Sequence, residues 1–274
     1  MEIGVVIVIY NTIYNQSKSY LSLIKCACEC QNVKFHLVIY DNSQEPQDVQ
    51  SDNSLVHTDY YHDKRNLGVV PAYNYAIDYC KQNGIKWLLR LDHDSVFDSG
   101  FIDCFVKAAE DGDRYSAIIP KIICNNRIIS PSIIKKGGHL KSIPADNVGV
   151  SNERITFINS MSFINLENDT IVDAIRDTEF LLDLSDHDVA YRLKPNSVYV
   201  LDVVVNHSLS VSESEYVGIE RYRRIIGNEV SFVNLREDLS GRLIFKVRLL
   251  LRGLKLISKG MYKHALLTYA NILK

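Results

Sequence analysis

The first 110 residues alternate between short apolar segments and segments with helical periodicity. The segment IGVVIVIY, from Ile3, is continuous, rich in β-branched residues and short, which is typical of a parallel strand covered on both faces. FHLVIYDNS and KWLLRLDHDS repeat the pattern, and helices are predicted at 17–31, 71–82 and 101–110. Strands and helices in this alternation predict a doubly wound, mostly parallel α/β sheet.

Polar side chains follow each of the three predicted strands at its carboxyl end. They are Tyr10 and Asn11, then Asp41, Asn42 and Ser43, then Asp92 and Asp94. Ligands of open α/β sheets bind at the carboxyl ends of the strands. The sequence therefore predicts one ligand site along this edge.

The second half of the chain has a different pattern. Residues 116–165 are predicted to form short β segments, with a flexible connection at 135–150. A helix near 185–193 and the strand VYVLDVVVNHS follow, and the chain is predicted to be helical after about residue 213.

Composition narrows the class of protein. The 274 residues are 46% hydrophobic, as in a globular protein, and the formal net charge of −2 gives no indication of nucleic-acid binding. We expect no secretory signal, because no basic region precedes the first apolar run, and no transmembrane helix. The six cysteines are interpreted as small apolar residues of a reduced, cytoplasmic protein.

The strongest single motif is LDHDS, residues 91–95, directly after an apolar strand. Two carboxylates at Asp92 and Asp94 can hold a hard divalent cation, Mg²⁺ or Mn²⁺, which would neutralise a diphosphate. The alternative is a solvated loop in which Asp94 or Ser95 caps a helix.

A second acidic cluster, Asp186-His187-Asp188, opens the helix predicted near residue 185. Asp188 and Arg192 are one helical turn apart, so they can pair and stabilise the helix.

Six segments resemble, in order and spacing, family 2 glycosyltransferases of the GT-A fold: VVIVIYN, YDNS, RNLGVVPAYNYAI, LDHDS, SDHDVAYR and VVVNHS. LDHDS and SMSFINLE are closest to the corresponding segments of bacterial rhamnosyltransferases. The resemblance covers about residues 3–210. It implies a GT-A-like, Rossmann-type sheet flanked by helices, with a nucleotide-sugar half (1–112), an acceptor and catalytic half (113–210) and a helical C-terminal extension (211–274).

The resemblance also implies roles for individual residues. Asp41 would bind the pyrimidine base, and Asn66 and Gly68 would let the backbone approach the nucleotide sugar. Arg65 would face the diphosphate, although an exposed Lys64-Arg65 pair is an equal alternative. The donor-binding set is Tyr10, Asn11, Asp41, Asn42, Ser43, Arg65, Asn66, Gly68, Asn74, Asp92 and His93.

The same resemblance assigns the metal and the catalytic base. Asp94, with Asp92 and His207, would hold the cation, and Asp186 would be the base. The acceptor and structural set is Ser160, Asp188 and Arg192. The chain departs from the family at two positions: Ser185 stands where the family usually has glutamate, and Asn159 where a glycine is frequent.

The C-terminal segment from Arg242 contains eight lysines or arginines and no acidic residue. Such a basic amphipathic helix is typical of membrane-surface or partner-binding helices. The anionic inner face of the bacterial membrane, a homodimer interface, and an ordinary packed helix with a basic outer face are the three interpretations.

These features predict an inverting, metal-dependent glycosyltransferase for bacterial surface polysaccharide synthesis. The expected donor is dTDP-rhamnose, with UDP-hexose or UDP-galactofuranose as alternatives, and the expected acceptor is a glycan or lipid-linked saccharide. A nucleotidyltransferase is disfavoured because IYNTIYNQS lacks a glycine-rich phosphate loop. A non-catalytic sugar-binding or scaffold protein is the alternative of another class.

Overall fold

A computed structural model describes residues 1–49, 55–110, 114–124, 127–144, 146–206 and 218–272. The chain divides into two compact units. Unit 1 comprises Met1–Pro131 with Ser142–His207, and unit 2 comprises Ser132–Lys141 with Ser208–Lys274. The segment 132–141 therefore clusters with the C-terminal helices, whereas the sequence analysis placed it in the acceptor and catalytic half, residues 113–210. The domain boundary near residue 210 stays a prediction.

Strands predominate in the middle of the chain and helices in its C-terminal part. The strands in the described residues are β1 (Glu2–Ile9), β2 (Lys34–Asp41), β3 (Val56–His62), β4 (Trp87–Asp92), β5 (Ala117–Cys124), β6 (Arg127–Ser130), β7 (Ser132–Lys135), β8 (His139–Ser142), β9 (Gly149–Val150), β10 (Ile155–Thr156), β11 (Ser162–Asn165) and β12 (Val198–Asn206). The helices are α1 (Lys18–Glu29), α2 (Val70–Gln82), α3 (Ser99–Glu110), α4 (Asp169–Arg176), α5 (Ser185–Arg192), α6 (Ile219–Arg236), α7 (Leu239–Ser258) and α8 (Tyr262–Ile272).

Unit 1 is built on one mixed, mostly parallel sheet in the order β3-β2-β1-β4-β11-β5-β12-β9, with β6 paired to β5. β1 runs parallel to both β2 and β4, and β12 runs parallel to β5. β11 is antiparallel to both of its neighbours, β4 and β5. The α/β class with a mostly parallel sheet and flanking helices is confirmed. β1, β2 and β4 end at the same edge, as the sequence predicted.

Helices cover both faces of this sheet. On one face, Leu89 and Leu91 of β4 belong to a buried cluster with Phe101 and Phe105 of α3. On the other face, α2 lies against β1 so closely that a Cβ at Gly4 would stand 2.2 Å from the sulfur of Cys80. Residues at alternate positions of β4 therefore face different helices.

The predicted helices at 17–31, 71–82, 101–110 and 185–193 are confirmed within about two residues at most ends. β3 and α4 were not predicted. The strand VHTDYYH of β3 was missed because it carries polar residues at nearly every position. The predicted flexible connection at 135–150 is partly wrong. Its residues 139–142 form β8, which pairs with β7, because Gly137 and Gly138 adopt the positive φ angles that a tight hairpin turn requires.

Unit 2 combines the β7–β8 hairpin with three helices. Lys136 forms an ion pair of 3.0 Å with Asp238, and Arg248 donates to the carbonyl of Gly137. Arg252 of α7 binds Glu229 of α6 through both terminal nitrogens. The C-terminal segment is thus helical, as predicted. Arg242 donates to backbone carbonyls of the same unit, so three arginines of this segment form hydrogen bonds within the unit.

The outward face of α7 is apolar. Its exposed side chains recur with a spacing of four and three residues: Leu243, Val247, Leu250, Leu254 and Ile257. Phe245, Leu249 and Gly253 are buried on the opposite face. No helix in the described parts of the chain combines the length and the apolar composition needed to cross a bilayer.

Candidate active site

The ends of β1, β2 and the loop before α2 are joined by side-chain hydrogen bonds. The backbone N–H of Asn11 donates to the hydroxyl of Ser43 at 2.8 Å. The side-chain amide of Asn42 donates to the carbonyl of Gly68 at 3.1 Å. Asn42 and Ser43 are buried, whereas Tyr10 is exposed. Asn42 and Ser43 therefore hold the neighbouring strand end and loop in place, whereas the Tyr10 ring is accessible to a ligand.

Asp41 is completely buried at the end of β2. One carboxylate oxygen accepts the Ser43 N–H at 2.9 Å, and the other accepts from the Tyr60 hydroxyl at 2.9 Å and the Gln47 amide at 3.0 Å. A base-binding role for Asp41 stays a prediction. In this arrangement a base could reach Asp41 only by displacing Tyr60 or Gln47.

Arg65 is paired within the chain, yet it remains exposed. Its Nε and Nη2 donate to the two carboxylate oxygens of Asp63 at 2.8 and 2.7 Å. These hydrogen bonds from Arg65 hold the pKa of the Asp63 carboxyl far below its ordinary value, against the effect of burial. An open cleft adjoins this pair, lined by Gln44, Glu45, Pro46, His62, Asp63, Lys64 and Arg65.

The segment 66–74 adopts unusual backbone conformations. Asn66 and Gly68 have positive φ angles of 47° and 102°. A Cβ at Gly68 would stand 2.2 Å from the carbonyl oxygen of Leu181. Glycine is therefore required here because the backbone at Leu181 packs against it, whereas the sequence analysis expected the nucleotide sugar to do so. The side-chain oxygen of Asn74 is buried and has no hydrogen-bond partner among the described residues.

Three buried serines hold the LDHDS turn after β4. Ser160 accepts the Asp92 N–H at 3.0 Å and shares a hydrogen bond of 2.7 Å with the Ser95 hydroxyl. The hydroxyl of Ser19, on α1, donates to the Asp92 carbonyl and accepts the Ser95 N–H. Ser160 therefore has a structural role here. Ser19 could not be found from the sequence, because a serine on a helix is ordinary.

Asp92, His93 and Asp94 are all partly accessible in this turn. The His93 carbonyl accepts the Ser19 N–H at 3.3 Å. No group of three or more histidine, cysteine or acidic side chains close enough to bind a metal occurs within the described residues. His207, the third predicted metal ligand, lies outside them. Two carboxylates nevertheless fit a cation such as Mg²⁺, which is held by one or two carboxylates together with substrate phosphates.

Asp186 lies in the first turn of α5 and is held by the residue after it. Its Oδ1 accepts the His187 N–H at 2.9 Å and bonds the ring Nδ1 at 2.8 Å. Burial raises the pKa of Asp186, but the charge and hydrogen bonds of His187 and the charge of Arg90 outweigh burial and lower it. Asp186 is therefore an ionised carboxylate, and its Oδ2 has no hydrogen-bond partner in the described part of the chain.

Asp188 lies deeper and forms the predicted pair. Its fully buried carboxylate contacts Arg192 at 3.3 Å, and Arg192 also donates to the carbonyl of Asp177 at 2.8 Å. The first turn of α5 thus carries a partly accessible carboxylate at Asp186 and, two residues later, a buried structural carboxylate at Asp188.

Arg90 is a site residue that the sequence analysis missed. It lies on β4, two residues before Asp92, and acts electrostatically on Asp186. The signal was an arginine inside the apolar strand KWLLRLD, which is unusual because buried arginines need compensating partners.

Comparison with known proteins identifies the class. The family model described as glycosyl transferase family 2 matches residues 5–162, more than half of the chain. The chain belongs to this family and is a glycosyltransferase. No individually curated protein gives a significant match.

One solved structure shows the same fold, and a second is similar at a lower score. S. aureus TarS 1–349 in complex with UDP-GlcNAc has a TM-score of 0.51 at 13% identity, covering 90% of this chain and 71% of that one. A second crystal structure of TarS 1–349 has a TM-score of 0.49 at 16% identity, covering 90% and 70%.

Proposed function

We propose that the chain transfers a sugar, with inversion, from a nucleoside diphosphate donor to an acceptor hydroxyl, with Asp186 as the general base. The observation that carries the proposal is the asymmetry of this carboxylate. His187 holds Oδ1, while Oδ2 is without a partner among the described residues. A base must be ionised, oriented and open to the proton that it takes.

The chemistry follows from these residues. The acceptor hydroxyl attacks the anomeric carbon while Asp186 removes its proton, and the bond from that carbon to the diphosphate oxygen breaks. Attack from the face opposite the leaving group inverts the anomeric centre. His187 stabilises the carboxylate before the transfer and keeps it in one orientation.

Asp94, with Asp92, would hold a divalent cation. Such a cation neutralises the charge that develops on the leaving diphosphate. The chain itself fixes the turn that carries these carboxylates through Ser19, Ser95 and Ser160. A hard cation suits this donor set, because both side chains offer only oxygen.

The donor proposed is a pyrimidine nucleotide sugar, with dTDP-rhamnose first and UDP-hexose or UDP-galactofuranose second. The LDHDS and SMSFINLE segments support rhamnose. TarS, which shares the fold, has been crystallised in complex with UDP-GlcNAc, and this supports a pyrimidine nucleotide sugar as the donor. Tyr10, with its ring exposed beside Asn11, is the side chain best placed to stack on a base.

We propose further that α7 binds the anionic cytoplasmic face of the membrane, where a lipid-linked acceptor for surface polysaccharide synthesis would be found. The outward face of α7 is apolar, and the helix carries five basic and no acidic residues. Two copies of such a helix would bring like charges together, whereas an anionic lipid surface complements them.

The test is turnover by the purified chain. dTDP-rhamnose and UDP-hexoses are incubated with Mg²⁺ or Mn²⁺, with and without simple saccharide acceptors, and release of the nucleoside diphosphate is measured. Metal-stimulated release that Asp186→Asn abolishes is expected. Binding of these donors by a chain that never releases the diphosphate would instead support a non-catalytic sugar-binding protein.

A further inference from the structure

Arg90 is almost completely buried, with 1% of its surface exposed, on the face of β4 that also carries Asp92. Its Nε and Nη2 both donate to the hydroxyl of Ser162 on the neighbouring strand β11, at 3.0 and 2.8 Å. Its guanidinium lies 4.9 Å from the centre of the Tyr73 ring on α2. The side chain is thus fixed from two sides.

No carboxylate of the described residues lies within ion-pair distance of Arg90. Burying an arginine that has no carboxylate in contact with it costs free energy unless nearby negative charge compensates the positive charge. The compensating charges are Asp92 and Asp186, which act on Arg90 through space. One fixed cation is therefore shared between the proposed metal-binding turn and the proposed base.

Tyr73 adds an independent observation. Its hydroxyl is buried, has no hydrogen-bond partner among the described residues, and lies near the same two carboxylates. Burial, together with the charge of Asp92, raises the pKa of the Tyr73 phenol, so the hydroxyl remains a donor. An unsatisfied buried donor at this place indicates that a water molecule or a substrate oxygen accepts from it.

Ser162, which accepts from Arg90, donates in turn to the carbonyl of Asn159, and the side-chain amide of Asn159 donates to the hydroxyl of Ser185 at the start of α5. We propose that Arg90, held by Ser162 and Tyr73, is a positioning residue for sugar transfer that fixes, through this chain of hydrogen bonds, the turn that carries Asp186. This inference rests on the proposed role of Asp186. Arg90 does not touch substrate, because it is covered by the chain. The charged and titratable groups facing Asp186 are His187 on its own helix, Arg90 on β4 and Tyr73 on α2.

The experiment compares kcat and KM of the wild type, Arg90→Met and Arg90→Lys, with dTDP-rhamnose and UDP-GlcNAc as donors and diphosphate release as the readout. Arg90→Met should lower kcat by roughly 10- to 100-fold, the usual effect of losing a supporting side chain around a polar site. The KM for the donor should change far less. The acidic limb of the kcat profile should move to higher pH, as expected when a neighbouring positive charge is lost. Arg90→Lys, which keeps the charge, should recover part of both effects.

Arg154→Met is the matched control. Arg154 also stacks on a tyrosine, with its guanidinium 4.5 Å from the Tyr191 ring on α5, but it does not act on Asp186. Loss of thermal stability in both variants, with kcat and pH profile unchanged in Arg90→Met, would overturn the inference. If Arg90→Met does not fold, Ser162→Ala decides: a fall in kcat at constant donor Kd supports the inference, and a wild-type kcat overturns it.

Asp186→Asn, assayed in parallel, separates this inference from the proposed function. An active Asp186→Asn variant would contradict Asp186 as the base. An inactive Asp186→Asn beside a fully active Arg90→Met would contradict only the role of Arg90.

Discussion

The side-chain amide of Asn159 donates a hydrogen bond of 2.9 Å to the hydroxyl of Ser185. These are the two positions at which the chain departs from the usual family pattern. Ser185 in turn donates to the carbonyl of Leu182 at 3.0 Å, so the first turn of α5 is tied to the segment before it and to the loop before β11. The two departures therefore form one interaction, and it fixes the turn that carries Asp186.

A double-mutant cycle tests this coupling. Asn159→Ala and Ser185→Ala each remove one partner, so the double variant should lose less stability than the sum of the single variants. We expect a coupling energy of about 0.5–1.5 kcal/mol, the usual net value of one hydrogen bond. Urea unfolding measures it. Free-energy changes that add to within about 0.3 kcal/mol would show that the two residues do not interact.

The fold was predictable because its strands are continuous apolar runs. β1, β2 and β4 need burial on both faces, and a mostly parallel sheet covered by helices on both faces supplies it. β3 has no such run and could be found only from its pairing with β2. The β7–β8 hairpin was missed because glycines were interpreted as flexibility, although their positive φ angles form a defined turn.

The residue types of the candidate site were predictable from the sequence, but the side chains that hydrogen-bond to the site residues were not. The position of Asp186 after a predicted helix start, and of Asp92 after a strand, follows from local pattern. The bonds of Ser19 to the LDHDS turn and of Arg90 to Ser162 join residues more than 70 positions apart. Local periodicity contains no information about such contacts.

Asp186→Asn should separate binding from chemistry. The amide keeps the shape of the side chain and loses the proton acceptor, so transfer should fall by roughly 10²–10⁴-fold. The donor Kd, measured by titration calorimetry with the nucleoside diphosphate, should stay near the wild-type value.

Asp188→Asn is the matched control for this variant. It breaks the buried contact with Arg192, so it should lower the Tm while the folded fraction keeps its activity. Loss of turnover in Asp188→Asn with wild-type turnover in Asp186→Asn would place the base two residues later.

The pH dependence follows from the lowered pKa of Asp186. An aspartate titrates near pH 3.9 in the unfolded chain, so a lower value in the folded state means that its contribution to stability is complete above that pH. That contribution is lost as the pH falls through the lower, folded value. We expect kcat to show no acidic limb from Asp186 above about pH 4. A limb near pH 6 that persists in His187→Gln would show that the pKa of the base is raised instead.

Asp94→Ala tests the metal. Removing this carboxylate should abolish transfer and weaken binding of the nucleoside diphosphate in the presence of Mn²⁺, because Asp94 would hold the cation that would neutralise the diphosphate. The measurement is the thermal shift produced by dTDP with and without Mn²⁺, since a ligand of the native state raises its stability by mass action. Asp103→Ala, at an exposed acidic residue of α3 away from the turn, is the control. Wild-type turnover by Asp94→Ala in chelator would exclude this metal mechanism.

The apolar face of α7 gives the prediction for the membrane. Leu250→Ser and Leu254→Ser together remove two exposed side chains from the centre of that face and leave the buried contacts of Leu249 and Gly253 intact. Binding to vesicles that contain anionic phosphatidylglycerol should fall, because apolar insertion and charge attraction act together at such a surface. Co-sedimentation with the vesicles measures this.

Leu266→Ser is the matched control, because Leu266 is 72% exposed on α8 and lies outside the apolar face of α7. It should bind vesicles as the wild type does. Salt should weaken wild-type binding, since the basic residues of α7 are attracted through a screened interaction that reaches about 10 Å at 0.1 M. Equal binding by the double serine variant and the wild type would show that α7 does not contact lipid. If the wild type sediments as a dimer and the double variant as a monomer, the apolar face binds a second copy of the chain instead.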